Sequence, residues 1–143
     1  MSREELAKLI SVMAHAMLAD GKIHDKEMQM LRNTAVALGL ETLDDFSNLP
    51  ALDSLIKKED DVLFKTEVLD VCMETLSVDG ELNEEEKAFF IRVCQLLGIE
   101  EDKAQACVQV IQEIAQKRQE FNMILSEIFS SRKTSSEDSG PTS

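Results

Sequence analysis

Two copies of one acidic motif hold the side chains in this sequence that are best suited to chemistry. Asp20 and Glu27 open and close the first copy, and Asp79 and Glu86 open and close the second, 59 residues later. Both copies read Asp-Gly-x-apolar-x-acid-x-Glu. Carboxylate oxygens are the ligands that hard cations such as Ca²⁺ and Mg²⁺ prefer in proteins. The spacing therefore indicates four candidate metal ligands, Asp20, Glu27, Asp79 and Glu86.

Each copy matches only the second half of an EF-hand calcium loop. In that loop a carboxylate precedes the glycine, and a bidentate Glu begins the exiting helix. The first loop position, which needs a carboxylate, falls on Ala16 and Thr75, and the third falls on Leu18 and Ser77. The sequence therefore predicts that neither copy forms a complete EF-hand. A bound Ca²⁺ or Mg²⁺ would need ligands from elsewhere in the chain, or several waters.

Two other interpretations of the motif need no metal. In a structural one, the glycine makes the turn, Ile23 or Leu82 fills the corner, and Glu27 or Glu86 caps the next helix. In the other, the acidic residues form a docking surface for a basic protein partner. The candidates for that surface are the other acidic residues of the two copies, Asp25, Glu81, Glu84 and Glu85. The sequence leaves all three interpretations open.

Catalytic chemistry is not indicated. The chain has two histidines, His15 and His24, and no tyrosine or tryptophan. Its sequence suggests no Ser-His-Asp or Cys-His arrangement and contains no Gly-rich phosphate loop. We therefore expect a protein that is not an enzyme.

The net charge of −13 over 143 residues restricts the classes of partner and of compartment. An acidic protein repels a phosphate backbone, so we expect no nucleic-acid binding.

No apolar run approaches the roughly 20 residues that span a bilayer, and the acidic N-terminus is unlike a signal peptide. Three cysteines on apolar helical stripes form no C-x-x-C pair, which predicts buried, unpaired thiols: Cys72, Cys94 and Cys107. We expect a cytoplasmic protein without membrane insertion.

The elements that position the acidic motifs are predicted to be helices throughout. Apolar residues recur at steps of three and four, as on one face of a helix, and no stretch alternates as a strand does. Asn83 followed by Glu86 predicts a capping box and a helix that starts near Glu84. Glycines follow four of the apolar stripes, as at helix C-termini: Gly21, Gly39, Gly80 and Gly98. Each repeat is therefore predicted to be helix, Asp-Gly corner, helix.

The whole chain is predicted to form an all-α, compact single-domain bundle in which the two repeats are related by a pseudo-twofold axis. The insert at 42–61 predicts one or two short helices. The apolar pattern of the last helix continues to Phe129, and because such a helix would be roughly 45 Å long, we expect a break or kink near Lys117. The polar residues 132–143 predict a disordered tail, which leaves 1–131 as the folded domain.

With these motifs, the chain resembles the tellurite-resistance TerB-like family. The resemblance covers roughly Leu6 to Ile128 and rests on MLADG at 17–21 with Glu27, and on SVDG at 77–80 with Glu86. It implies a compact bundle of about seven helices. It also implies a set of acidic residues proposed to bind metal ions in stress-response systems, which are Asp20, Glu27, Asp79 and Glu86 here. Membership of this family implies no known reaction.

Overall fold

Six α-helices make up the part of the chain that the computed structural model describes. That part is residues 2–21, 25–37, 49–78 and 80–139, without the side chains of 25, 26, 35 and 131–139. The helices are α1 Arg3–Met17, α2 Asp25–Ala37, α3 Leu52–Leu55, α4 Val62–Leu76, α5 Glu84–Leu96 and α6 Glu101–Ser139. No strand occurs in these ranges. The all-α class is confirmed, and the described residues contain six helices, where the resemblance implied about seven in the whole bundle.

The two repeats form helix pairs with matching bounds. From α1 to α4 the offset is 62 − 3 = 59 at the start and 76 − 17 = 59 at the end. From α2 to α5 it is 84 − 25 = 59 and 96 − 37 = 59. Gly21 and Gly80 lie in the turn after the first helix of each pair, with φ of 74° and 77°, a conformation that glycine adopts without strain. The offset in sequence therefore holds for the helices, while the two-fold relation of the halves stays a prediction.

Local capping signals set the helix starts. Asn83 Oδ1 accepts a hydrogen bond from the backbone N–H of Glu86 at 2.8 Å, and Glu86 Oε1 accepts one from the N–H of Asn83 at 3.1 Å. This confirms the capping box predicted at the start of α5. Ser2 and Glu5 form a second capping box at α1, and Asp61 caps α4.

The core is built where the two repeats meet. The most extensive helix contact pairs α1 with α4, the equivalent first helices of the repeats, and α5 packs mainly on α6. The main core cluster draws on all four of these helices, with fully buried members Val12, Val68, Cys72, Phe90 and Ile111. A smaller cluster joins α1 to α2 through Leu31. Because α1 lies against α4, the corners that follow these helices are brought together.

The last helix differs from its prediction. α6 runs uninterrupted for 39 residues from Glu101 to Ser139, so the expected break near Lys117 is wrong. The physical reason is that this stretch contains no glycine or proline that would interrupt the backbone hydrogen bonds. α6 also passes residue 132, and the division into a domain of 1–131 and a tail of 132–143 stays a prediction. Among the described residues, no helix is long and apolar enough to cross a membrane.

The insert and the cysteines follow their predictions in part. Of the insert, residues 49–61 are described and contain the single short helix α3, while 42–48 lie outside the described residues. Cys72 and Cys94 are buried and unpaired, as expected. Burial, together with the neighbouring Cys107, raises the pKa of Cys94 to about 12. Cys107 is also unpaired but only half-buried, because it lies at the edge of the contact between α6 and the bundle.

Candidate functional site

The two Asp-Gly corners share one small cavity. Asp20 and Glu27 from the first corner and Glu86 from the second all line it, together with Thr75 from the last turn of α4. Its volume is about 20 Å³, which exceeds the 10–15 Å³ or so that one water needs. Three of the four predicted metal ligands therefore meet at a cavity between the repeats, and not inside either loop.

The cavity carboxylates occupy equivalent places in the two repeats. Glu27 is the third residue of α2, and Glu86 is the third residue of α5. A helix N-terminus stabilises negative charge through its unpaired N–H groups. Glu86 is buried at 7% exposure, and Asp20 and Glu27 are half-buried. Each of the three has an interaction partner within the protein, which is what burial of a carboxylate requires.

Thr75 contributes a buried hydroxyl that sequence reasoning had set aside. Its Oγ1 has no hydrogen-bond partner among the described residues. An unpaired buried hydroxyl costs on the order of 1–3 kcal/mol. In the sequence, Thr75 aligns with the first position of an EF-hand loop, where its lack of a carboxylate argued against a ligand. Its equivalent in the first repeat, Ala16, lines the same cavity. The alignment with a loop position was the signal in the sequence, but only the packing of α1 on α4 brings Thr75 to the cavity.

The described residues do not form a finished metal site. Among them, no three His, Cys, Asp or Glu side chains are grouped closely enough to hold a metal ion. Asp20, Glu27 and Glu86 line one cavity but do not form such a group. The fourth predicted ligand, Asp79, lies outside the described residues.

The predicted docking residues whose side chains are described lie away from this cavity. Glu81, Glu84 and Glu85 are exposed, and the side chain of Asp25 is outside the described part. Glu81 and Glu84 line a separate polar groove of about 610 Å³ between α5 and α6. Its other polar side chains are Asn83, Lys87, Gln112, Gln116 and Gln119. Of the acidic residues described at the second corner, Glu86 thus lines the small cavity, and Glu81 and Glu84 line the open groove.

The histidines take no part in the cavity where they are described. His15 Nε2 donates a hydrogen bond to the carbonyl oxygen of Pro50 at 2.7 Å, which fastens α1 to the segment before α3. This hydrogen bond gives His15 a structural role. His24 lies outside the described residues.

Comparison with known protein families finds a match over the first part of the chain. A family model described as Tellurite resistance protein TerB matches residues 1–49. The matched segment contains α1, the first Asp-Gly corner and α2, and it ends before the second repeat. The match supports the TerB-like assignment that the motifs indicated. No curated protein and no solved structure matches the chain.

Proposed function

We propose that this TerB-like chain, so assigned by the match over residues 1–49, is a non-enzymatic cytoplasmic module that binds a divalent cation between its Asp-Gly corners. The supporting observation is the shared cavity, which Asp20, Glu27, Glu86 and Thr75 line together. Carboxylate and hydroxyl oxygens suit Ca²⁺ or Mg²⁺. Asp79 is included as a fourth ligand on the strength of the repeated motif alone. A role in stress response rests on the family resemblance.

Charge and space both favour a cation at this place. Carboxylates that face one cavity repel one another, and a divalent cation offsets that repulsion. The unpaired hydroxyl of Thr75 is a further oxygen at the same wall. Because the three carboxylates do not form a finished ligand group, an ion would keep some of its waters or draw the corners closer together. Glu86 also differs from the bidentate Glu of an EF-hand, since its Oε1 already accepts the capping hydrogen bond.

Binding of a basic protein partner is the second candidate function. Glu81, Glu84 and Glu85 are exposed at the start of α5, next to the polar groove. Exposed carboxylates of one sign attract a positively charged surface and speed its association. The same charge argues against a nucleic-acid partner. This function would use a surface that differs from the cavity, so the two candidates can be separated by mutation.

Calorimetric titration of the full chain with Ca²⁺, Mg²⁺, Mn²⁺ and Zn²⁺ tests the cation function. We expect Ca²⁺ or Mg²⁺ to bind the wild-type protein, and we expect binding to disappear when Glu27→Gln and Glu86→Gln are combined. The control combines Glu84→Gln with Glu85→Gln, which removes the same charge outside the cavity and should leave binding intact. If none of the four ions binds at millimolar concentration, the cation function is wrong.

A lysine-rich peptide is the probe for the docking function. Binding that survives in the Glu27→Gln, Glu86→Gln protein but is lost when Glu81, Glu84 and Glu85 are all replaced by Gln would favour docking. Binding lost only in the cavity variant would instead assign the peptide to the cavity. The two sets of substitutions thus give opposite patterns for the two functions.

A further inference from the structure

α6 has an apolar stripe that its own bundle leaves uncovered. The last residue of α6 that is buried, among the side chains described, is Ala115, yet the helix continues to Ser139. Phe121, Ile124 and Ile128 are 60%, 53% and 45% exposed. A helix without tertiary packing is only marginally stable in water, and a contiguous exposed apolar patch marks an interaction surface.

The stripe follows a heptad repeat, with apolar residues at alternating steps of three and four. Its a positions are Cys107, Ile114, Phe121 and Ile128, and its d positions are Val110, Lys117 and Ile124. This alternation keeps the residues on one narrow seam, which is the pattern of a coiled coil. The seam lies beside the face that α6 buries in its own chain, which consists of Ala104, Val108, Ile111 and Ala115. At the start of the seam, Cys107 and Ile114 are half-buried, and Cys107 packs against the chain's own core. The part that is open to a second helix while the bundle stays packed is therefore the later one, which holds Phe121, Ile124 and Ile128.

We propose that α6 pairs with α6 of a second copy of this chain, as a parallel, in-register coiled coil that makes a homodimer. The heptad places Arg118 and Leu125 on one edge of the seam, at positions e. It places three acidic residues on the other edge, at positions g: Glu113, Glu120 and Glu127. In a parallel pair, Glu113 faces Arg118 of the second copy, which is attractive. Arg118 also forms an ion pair with Glu74 of its own chain at 2.8 Å, so the two carboxylates would share one guanidinium group. In an antiparallel pair the two acidic edges would face each other and repel.

The size of the seam suits a reversible dimer. The four exposed apolar residues of the seam are Val110, Phe121, Ile124 and Ile128, with exposed fractions of 51%, 60%, 53% and 45%. With side-chain areas on the order of 150–200 Å², these fractions leave roughly 350 Å² of apolar stripe per copy. Pairing two copies would bury about 700 Å² before the flanking charged side chains are counted, which is below the ~1,000 Å² of a stable specific interface and fits a weak dimer. Residues 107–130 also have a net charge of only −1, from Glu113, Glu120 and Glu127 against Lys117 and Arg118. The strong negative charge of the rest of the chain is thus largely absent from the seam.

Lys117 is the one charged residue within the seam. Its Nζ lies 3.3 Å from Glu120 Oε2 of the same helix, so its charge is directed toward the acidic edge. In the dimer, two copies of Lys117 would share one layer, which costs affinity but helps to set the register. Lys117→Leu removes this cost and adds apolar area, so we expect it to tighten the dimer by roughly tenfold or more.

Sedimentation velocity of the full chain over a range of micromolar concentrations tests the dimer. We expect the mass to rise from 16.0 kDa toward twice that value. Phe121→Glu should hold the chain as a monomer. Met123→Glu is the matched control, because Met123 is 59% exposed but lies off the seam, and it should leave the dimer intact. Circular dichroism checks that both variants stay folded. A wild-type monomer at every concentration, or a dimer that survives Phe121→Glu, would overturn the proposal.

A cysteine introduced on the seam tests the direction of pairing. Ile124→Cys is made together with Cys107→Ser, so that the new thiol is the accessible one. In a parallel, in-register dimer the two thiols lie in one layer, and mild oxidation should link the copies through a disulfide. In an antiparallel dimer the two thiols share a layer only if the pairing is centred on residue 124 itself. A dimer that forms but does not cross-link would overturn the parallel arrangement.

Discussion

Replacing Thr75 with valine removes a buried hydroxyl while keeping the shape of the side chain. Because Oγ1 has no hydrogen-bond partner among the described residues, the substitution breaks no hydrogen bond seen in the structure. An unpaired buried hydroxyl costs on the order of 1–3 kcal/mol. Thr75 as a whole is half-buried, so the low end applies. We expect Thr75→Val to raise the free energy of unfolding by about 1 kcal/mol, which in a chain of this length raises Tm by about 3 °C.

Urea denaturation followed by circular dichroism, with a chelator present, measures this change. Thr66→Val in the same helix is the control, because Thr66 Oγ1 is exposed and donates to the carbonyl oxygen of Val62 at 2.8 Å. We expect that control to stay within about 0.5 kcal/mol of the wild type. A loss of about 1 kcal/mol or more in Thr75→Val would refute the reasoning, since it would mean that the hydroxyl has a partner in the folded protein.

The same variant also tests the cavity as a cation site. A ligand that binds only the folded state raises its stability, so a bound cation should raise the Tm of the wild type. If Thr75 supplies an oxygen to that cation, Thr75→Val should show a smaller rise than the wild type. An equal rise in both proteins would remove Thr75 from the site and leave the carboxylates as its ligands.

Two further predictions concern the glycine corners and the thiols. Gly80→Ala should destabilise the protein more than Gly21→Ala. Both glycines have positive φ, a conformation that costs roughly 1–2 kcal/mol once a side chain is present. Only at Gly80 would the new Cβ also clash with α6, because it would lie 2.8 Å from the Cβ of Gln119. Equal losses of unfolding free energy in urea denaturation would contradict this, since they would mean that Gln119 on α6 moves aside at little cost. With a thiol reagent at pH 8, Cys107 should react first, because burial raises the pKa of the other two thiols, Cys72 and Cys94. Labelling of all three at one rate in the native protein would contradict their burial.

The sequence determined the local structure of this protein. The bounds of α4 and α5 repeat those of α1 and α2 at the offset of 59 that the motif predicts. The capping box of Asn83 and Glu86 and the turns at Gly21 and Gly80 also occur where the residue types place them. These features depend on contacts between neighbours in the chain, such as helical periodicity, caps and backbone φ, and so a single sequence is sufficient to predict them.

Only the tertiary structure decided how the acidic motifs are used. The packing of α1 on α4 brings Glu27 and Glu86, which are distant in sequence, to one cavity, and it adds Thr75, whose residue type indicated no ligand. It also leaves Cys107 half-buried and the later part of the α6 seam open, although the same apolar periodicity had predicted burial. Periodicity shows which side chains share a face, but whether another element covers that face depends on contacts between distant parts of the chain.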